Sequence, residues 1–291
     1  MDTTLETNGL GFGAGLGFGA LRPVFGKHGS LQALYLDGQQ IVRPWGIETA
    51  DAHAFFSLET GGWGNQVLGR EFTHTTRRSE GTVTVRMAEG LWQANLVNVV
   101  SDGSIKRQLR YRALEDTWAM DLVMRFVFQR SAVNRAEIAG RQIAWDGANY
   151  YHQYETDRVL LSLDQLGLGL ELGSGLEHEL QIRVTDSHYP PEWRLWMYVR
   201  CSPAEDAWIV HIRLLPATWE REVIKCRCIK SYHLVLPEWV SRQILAVPGW
   251  AQHLRYAGER NRPLGSRVNA YPLALIPQGT EIVLRADVEI R

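Results

Sequence analysis

Residues 82–111 read TVTVRMAEGLWQANLVNVVSDGSIKRQLRY. Apolar and polar residues alternate over Thr82–Met87, Glu89-Gly90 turns the chain, and Leu91–Val100 follows as a second β-prone run. Ser101-Asp102-Gly103-Ser104 is another turn, after which Ile105, Arg107, Leu109 and Tyr111 share one face of a third run. Side chains on a strand point alternately to its two faces, so a period of two broken by Gly-bearing turns predicts consecutive antiparallel strands. The pattern extends both ways. Leu31–Leu36, the turn Asp37-Gly38 and Ile41-Val42 form a hairpin signal. Met120–Phe128 (MDLVMRFVF) is strongly β-prone, and further strands are expected over 159–163, 167–172, 180–185, 195–200, 208–215, 222–229 and 281–290. Only Glu238–Val247, after Pro237, could hold two or three helical turns. Many short strands and few helices predict an all-β fold, a large antiparallel β-sandwich with few short helices.

The 291-residue length fits one such domain. The expected organisation is a Gly-rich N-terminal segment over 1–22 and a single β-sandwich domain over 23–291. Residues 9–19 (GLGFGAGLGFG) invite comparison with a dinucleotide-binding loop, which needs Gly at positions 1, 3 and 6 before a helix. Counted from Gly11 and Gly13, the sixth position is Leu16, and Leu21-Arg22-Pro23 interrupts any following helix. A net charge of −1 argues against a nucleic-acid footprint, which needs clustered excess Lys and Arg. The absence of an 18-residue apolar run argues against a membrane-spanning helix. Cys201, Cys226 and Cys228 make a poor disulfide framework and read as buried thiols. Met1 to Asn8 shows no signal-peptide pattern, so a cytoplasmic setting is expected. No metal or phosphate-loop motif is present, and no cofactor is expected. Edge strands and Trp-rich patches leave room for a homodimer.

Two segments carry a family resemblance. The first is His28–Val42, in which a Gly leads into an apolar strand and a second Gly turns it. The second runs from Leu254-Arg255-Tyr256-Ala257-Gly258-Glu259 through Val268-Asn269-Ala270 to Leu275-Ile276-Pro277-Gln278-Gly279-Thr280-Glu281. Together they resemble the galactose mutarotase-like superfamily, a β-supersandwich that serves aldose epimerases. That resemblance implies sugar-directed acid–base chemistry, with Glu259 as the base and Arg70 as a sugar-binding arginine. The chain departs from the pattern in two places: its C-terminal turn is one residue longer, and the central His motif is not reproduced. Asn149-Tyr150-Tyr151-His152-Gln153-Tyr154 stands at a comparable place, with its tyrosines before the His. His152 is accordingly the candidate acid.

Alternation would put Tyr150, His152 and Tyr154 on one face and Tyr151, Gln153 and Glu155 on the other. A concave binding row and a half-buried outer face fit this pattern equally. His74, close to Arg70, and Trp63, in the loop Gly61-Gly62-Trp63-Gly64-Asn65, join the candidate sugar-binding residues. Trp193, after Tyr189-Pro190-Pro191-Glu192, is expected as an exposed ring at the rim. His211 alternates in step with Ile209 and Arg213 and faces either a groove or solvent. Trp118, Trp145, Trp196 and Trp208 lie in or beside apolar runs, where core packing is the default, whereas Trp63, Trp193 and Trp250 stand beside Gly or Pro. Glu259 and Arg70 also have plain readings as surface ion-pairing residues, Glu259 with Arg260 or Arg262.

These residues predict a carbohydrate-active protein that acts on a sugar or another small molecule by epimerase-like acid–base catalysis. Three alternatives stay open. One is a carbohydrate-binding protein without turnover. Another is a polysaccharide lyase using the Tyr/His cluster, with Asn149 and Arg158 as helpers. The third is a small-molecule cyclase or isomerase in an aromatic-lined β-cavity.

Overall fold

Each of the three runs in residues 82–111 forms a strand, and the strands pair in chain order. The computed structural model describes residues 21–26, 30–44, 46–51, 54–58, 61–62, 64–88, 90–119, 121–147, 152–163, 179–216, 227–228, 268–269 and 274–291. In chain order the strands are β1 (Leu21–Phe25), β2 (Leu31–Leu36), β3 (Gln39–Val42), β4 (Ile47–Ala50), β5 (Phe55–Ser57), β6 (Gln66–His74), β7 (Arg78–Met87) and β8 (Gly90–Val100). They continue with β9 (Ser104–Ala113), β10 (Thr117–Ala119), β11 (Asp121–Gln129), β12 (Val133–Ile138), β13 (Arg141–Ala144), β14 (His152–Tyr154), β15 (Arg158–Leu163) and β16 (Glu179–His188). The last are β17 (Trp193–Ser202), β18 (Ala207–Pro216), β19 (Arg227–Cys228), β20 (Val268–Asn269), β21 (Ala274–Ile276) and β22 (Glu281–Ile290).

Two large antiparallel sheets result. The first has the order β1-β2-β3-β11-β18-β17-β14, with β4 and β5 attached where β4 pairs with β11. The second runs β13-β12-β15-β16-β22-β9-β8-β7-β6. The fold is the expected all-β sandwich. Among the described residues the helical content is one 3-10 turn, Arg130–Ala132, and no helix is long and apolar enough to cross a membrane. The expected helix at 238–247, the strand at 167–172 and the segment 1–20 lie outside the described residues.

The hairpin at Asp37-Gly38 shows why its residues matter. Both adopt positive φ, 50° and 84°, the left-handed pair a two-residue hairpin needs, and Gly carries no Cβ penalty there. Strands β1, β4, β5, β6, β10, β12, β13, β20 and β21 go beyond the sequence reading. β6 is exposed along nearly its whole length and shows no apolar alternation. Alternation is a burial signal, and an outer strand with two wet faces does not carry it.

One core cluster spans both sheets. From β11, β18 and β17 it takes alternate residues: Leu122, Met124, Phe126 and Phe128; Trp208, Val210, Ile212 and Leu214; Trp193, Met197, Val199 and Cys201. Trp208 is fully buried, and its indole N–H donates to the Val133 carbonyl at 2.9 Å. The second sheet faces inward with Ile105, Leu109 and Tyr111, and Arg107 in step with them is also buried. Its guanidinium lies 5.8 Å from the Phe126 ring centroid. The Tyr111 hydroxyl crosses the core to donate to the Glu48 carbonyl at 2.9 Å, tying β4 to the second sheet.

Candidate functional site

Residues out of step with the core project from the opposite face of the first sheet. On four adjacent strands the register sets Arg125, His211, Tyr198 and Gln153 directly opposite one another. A second row, displaced by two residues, holds Ser57, Glu48, Val123, Arg213 and Trp196. Directly opposed antiparallel residues have Cβ atoms about 5 Å apart, so each row is a line of neighbouring side chains. A small apolar patch of Val127, Ala207 and Ile209 closes one side.

This face is polar and yet buried. His211, Glu48, Ser57, Asp121 and Gln153 are all under one-tenth exposed. Its charges are paired: Arg125 Nη1 meets Glu48 Oε1 at 2.9 Å, and Arg213 Nη2 meets Asp121 Oδ2 at 2.6 Å. Arg213 Nη1 donates to Gln153 Oε1 at 3.1 Å, and its guanidinium lies 5.7 Å from the Tyr198 ring centroid. The Tyr198 hydroxyl hydrogen-bonds His211 Nδ1, with the two rings 4.3 Å apart between centroids.

Environment tunes two of these groups. Burial, reinforced by Arg125, Arg200 and Arg213, holds the His211 imidazole well below its usual range, so the ring is neutral at pH 7. Burial pushes the Glu48 carboxyl above the ordinary range, against the opposing pull of Arg125. The phenol is a stronger acid than a neutral imidazole N–H, which assigns Tyr198 as donor to Nδ1 and leaves the ring proton on Nε2.

Several polar atoms of this face have no partner among the described residues. Arg125 Nε, Gln153 Nε2, His211 Nε2 and the Ser57 hydroxyl are buried and make no hydrogen bond there. An unmet buried donor costs about 1–3 kcal/mol, and native proteins keep such groups few. Four such atoms lie on this one sheet face.

The residues expected from the sequence scatter. His211 sits in the row, buried rather than facing solvent. His152 and Tyr154 lie on β14 opposite Val199 and Met197, so they take the core side, and the polar side of β14 belongs to Gln153. Burial lowers the His152 pKa, opposed by Asp146. The two tryptophans of β17 exchange their expected places. Trp193, read as an exposed rim ring, is 2% exposed and packs in the core. Trp196, read as core, lies on the polar face. An open depression of about 390 Å³, lined by Glu155, Tyr189, Pro191, Trp193 and Arg194, adjoins this end of the sheet. Arg70 and His74 lie on β6, the outer strand of the second sheet, away from the row. Glu259, Trp63 and Tyr150 lie outside the described residues. Glu48, Asp121, Arg125, Tyr198 and Arg213 were not singled out from sequence. Their available signal was a charged or ring-bearing residue recurring in step within an apolar strand, as in Asp121 and Arg125 of MDLVMRFVF.

No family model matches the chain, and no curated protein matches it. Solved structures do. A galactose mutarotase related enzyme from Lactobacillus acidophilus is 9% identical, with 94% of this chain and 95% of that one covered at a TM-score of 0.47. A galactose mutarotase-like protein from Lactobacillus casei is 10% identical, covering 94% and 97% at 0.44. A putative aldose 1-epimerase from Escherichia coli K12 is 7% identical, covering 94% and 99% at 0.43. At such identities the likeness is one of fold, and the roles of individual residues rest on the geometry above.

Proposed function

We propose that this chain binds a sugar on the polar face of the first sheet and moves a proton there through the Tyr198–His211 pair. One observation carries the reading: a buried, neutral imidazole hydrogen-bonded to a buried phenol, with Nε2 left unpartnered among the described residues. Anomer interconversion needs one group to remove a proton from the anomeric hydroxyl and another to protonate the ring oxygen. Groups whose surroundings move their pKa values off the ordinary range suit such work, and His211 and Glu48 flank Arg125 with shifts in opposite directions. The rings of Trp196 and Tyr198 beside Arg, Gln and carboxylate side chains form the mixture of flat apolar faces and hydrogen-bonding groups that a polyhydroxylated ring requires.

Polarimetric or NMR measurement of anomer exchange on a panel of aldoses tests the reading. Tyr198→Phe and His211→Ala should each lower the rate by about 10²–10⁴-fold. Undiminished exchange in both variants defeats it. Glu259→Gln in the same assay tests the base that the sequence resemblance implies. A second reading, binding without turnover, is favoured by the ion pairs that commit Glu48 and Asp121 to arginines. Sugar binding with no rate enhancement in the unmodified protein selects it.

A further inference from the structure

The open depression at the start of β17 shares no lining residue with the Tyr198–His211 row. It arises where two strands part. The ladder between β14 and β17 ends at Tyr154 opposite Met197. Trp193, Arg194 and Leu195 pair with β18 alone, and the chain leaving β14 through Glu155 and Thr156 forms the facing wall. Both walls are fastened. The Val184 amide donates to the Asp157 carbonyl at 2.8 Å, tying the segment after β14 to β16. The Trp193 amide donates to the Pro190 carbonyl at 3.0 Å, closing the turn at Pro191 beside Tyr189. The core sets the floor: Trp193 is buried in it, and Tyr189 and Leu195 pack against it. A hollow fixed in this way is largely pre-formed, as small-molecule sites are.

Its polar groups select the ligand. Glu155 and Arg194, both exposed, are the charged residues of the lining, and among the described residues neither side chain makes an ion pair or hydrogen bond. Ionised, Glu155 only accepts and Arg194 only donates. An anion attracted by Arg194 is opposed by Glu155, and a cation meets the reverse. A hydroxyl both donates and accepts, so a neutral polyol satisfies the two groups together. The Tyr189 ring beside them offers a flat apolar support with a polar tip, which suits the C–H face of a sugar ring. The volume of about 390 Å³ lies at the small end of the about 300–1,000 Å³ range for small-molecule sites. We propose that this depression is a second ligand site, taking a short neutral saccharide. It stands on these lining residues and not on proton transfer at Tyr198 and His211.

Calorimetric titration of the full chain with glucose, galactose, maltose and lactose tests this, beside glucuronate, glucosamine and phenylalanine as anionic, cationic and zwitterionic probes. At least one neutral sugar should bind about tenfold or more tighter than each charged probe. Glu155→Ala and Arg194→Ala alter exposed side chains, so the melting temperature should hold while each weakens that binding about fivefold or more. Anomer exchange should be unchanged in both. A charged probe binding best, affinity that survives both substitutions, or failure of every neutral sugar to bind overturns the proposal. Affinity abolished by Tyr198→Phe and untouched in the Glu155 and Arg194 variants would put the sugar on the row alone, which also overturns it and leaves the reading of the row standing.

Discussion

Strands β17 and β18 present two buried surfaces that differ in kind. On one side Met197, Val199, Trp208, Val210 and Ile212 join the shared core. On the other, residues one step away along the same strands, Trp196, Tyr198, His211 and Arg213, make hydrogen bonds, ion pairs and ring contacts. Both surfaces are withdrawn from water, but only the core side is self-sufficient. The polar side leaves donors unmet among the described residues, and that deficit is a cost that dispersion and hydrophobic burial on the core side must offset. The contrast shows how one strand pair can stabilise the fold with one set of alternate positions and hold a buried polar face with the other.

The largest expected effect lies on the core side. Trp208→Ala removes a fully buried indole and its hydrogen bond to Val133, so urea unfolding should show a loss of about 3–5 kcal/mol. A loss below about 1 kcal/mol would break the contrast, because Trp208 would then contribute no more than a surface residue. The polar side should respond less in stability and more in activity. Tyr198→Phe leaves His211 Nδ1 buried without its donor, at a cost of about 1–3 kcal/mol in the same assay. Its fall in anomer exchange should exceed anything Trp208→Ala does to the fraction that remains folded.

The two sides were also unequally legible in the sequence. Apolar alternation located most of the core strands, and for Glu281–Ile290 the expected and observed limits coincide. A run such as WIVHIRLL states which residues share a face but not which strands will lie beside it. Arg125 and Gln153 stand 28 positions apart in the chain, and His211 is 58 beyond Gln153. Only the sheet order β11-β18-β17-β14 puts them in one line. Alternation grouped His152 with Tyr154, as β14 does, but three residues are too few to show which side is the core. Proline neighbours led Trp193 to be read as a loop residue, although β17 begins at that residue and buries it.

Cys201 gives the core side of β17 its own chemical probe. Burial pushes its thiol up to about 11. Against an ordinary thiol near 8.5, the thiolate fraction at pH 8 falls by about two orders of magnitude. Iodoacetamide labelling, read by mass spectrometry on the Cys201 peptide, should be slow in the native protein and fast in urea. Rapid native labelling would show that the core side of β17 opens readily.

The smallest effect at neutral pH is also the most direct test of the polar side. His211 is held neutral in the folded chain, its pKa well below the unfolded value, while the unfolded imidazole takes up a proton near pH 6.5. The stability this contributes is fully present above about pH 6.5. As pH falls towards the folded pKa, the unfolded state binds more protons and the contribution is lost, with a slope of at most about 1.4 kcal/mol per pH unit. His211→Gln lacks this titration, so the difference between the two stability curves should be flat above about pH 6.5 and should shift towards the variant on the acid side. Leu214→Ala, on the core side of the same strand, removes no titrating group, and its difference from the unmodified protein should stay constant with pH. Parallel curves for His211→Gln would mean that the imidazole titrates alike in both states, and the burial that separates the two faces of β18 would lose its electrostatic consequence.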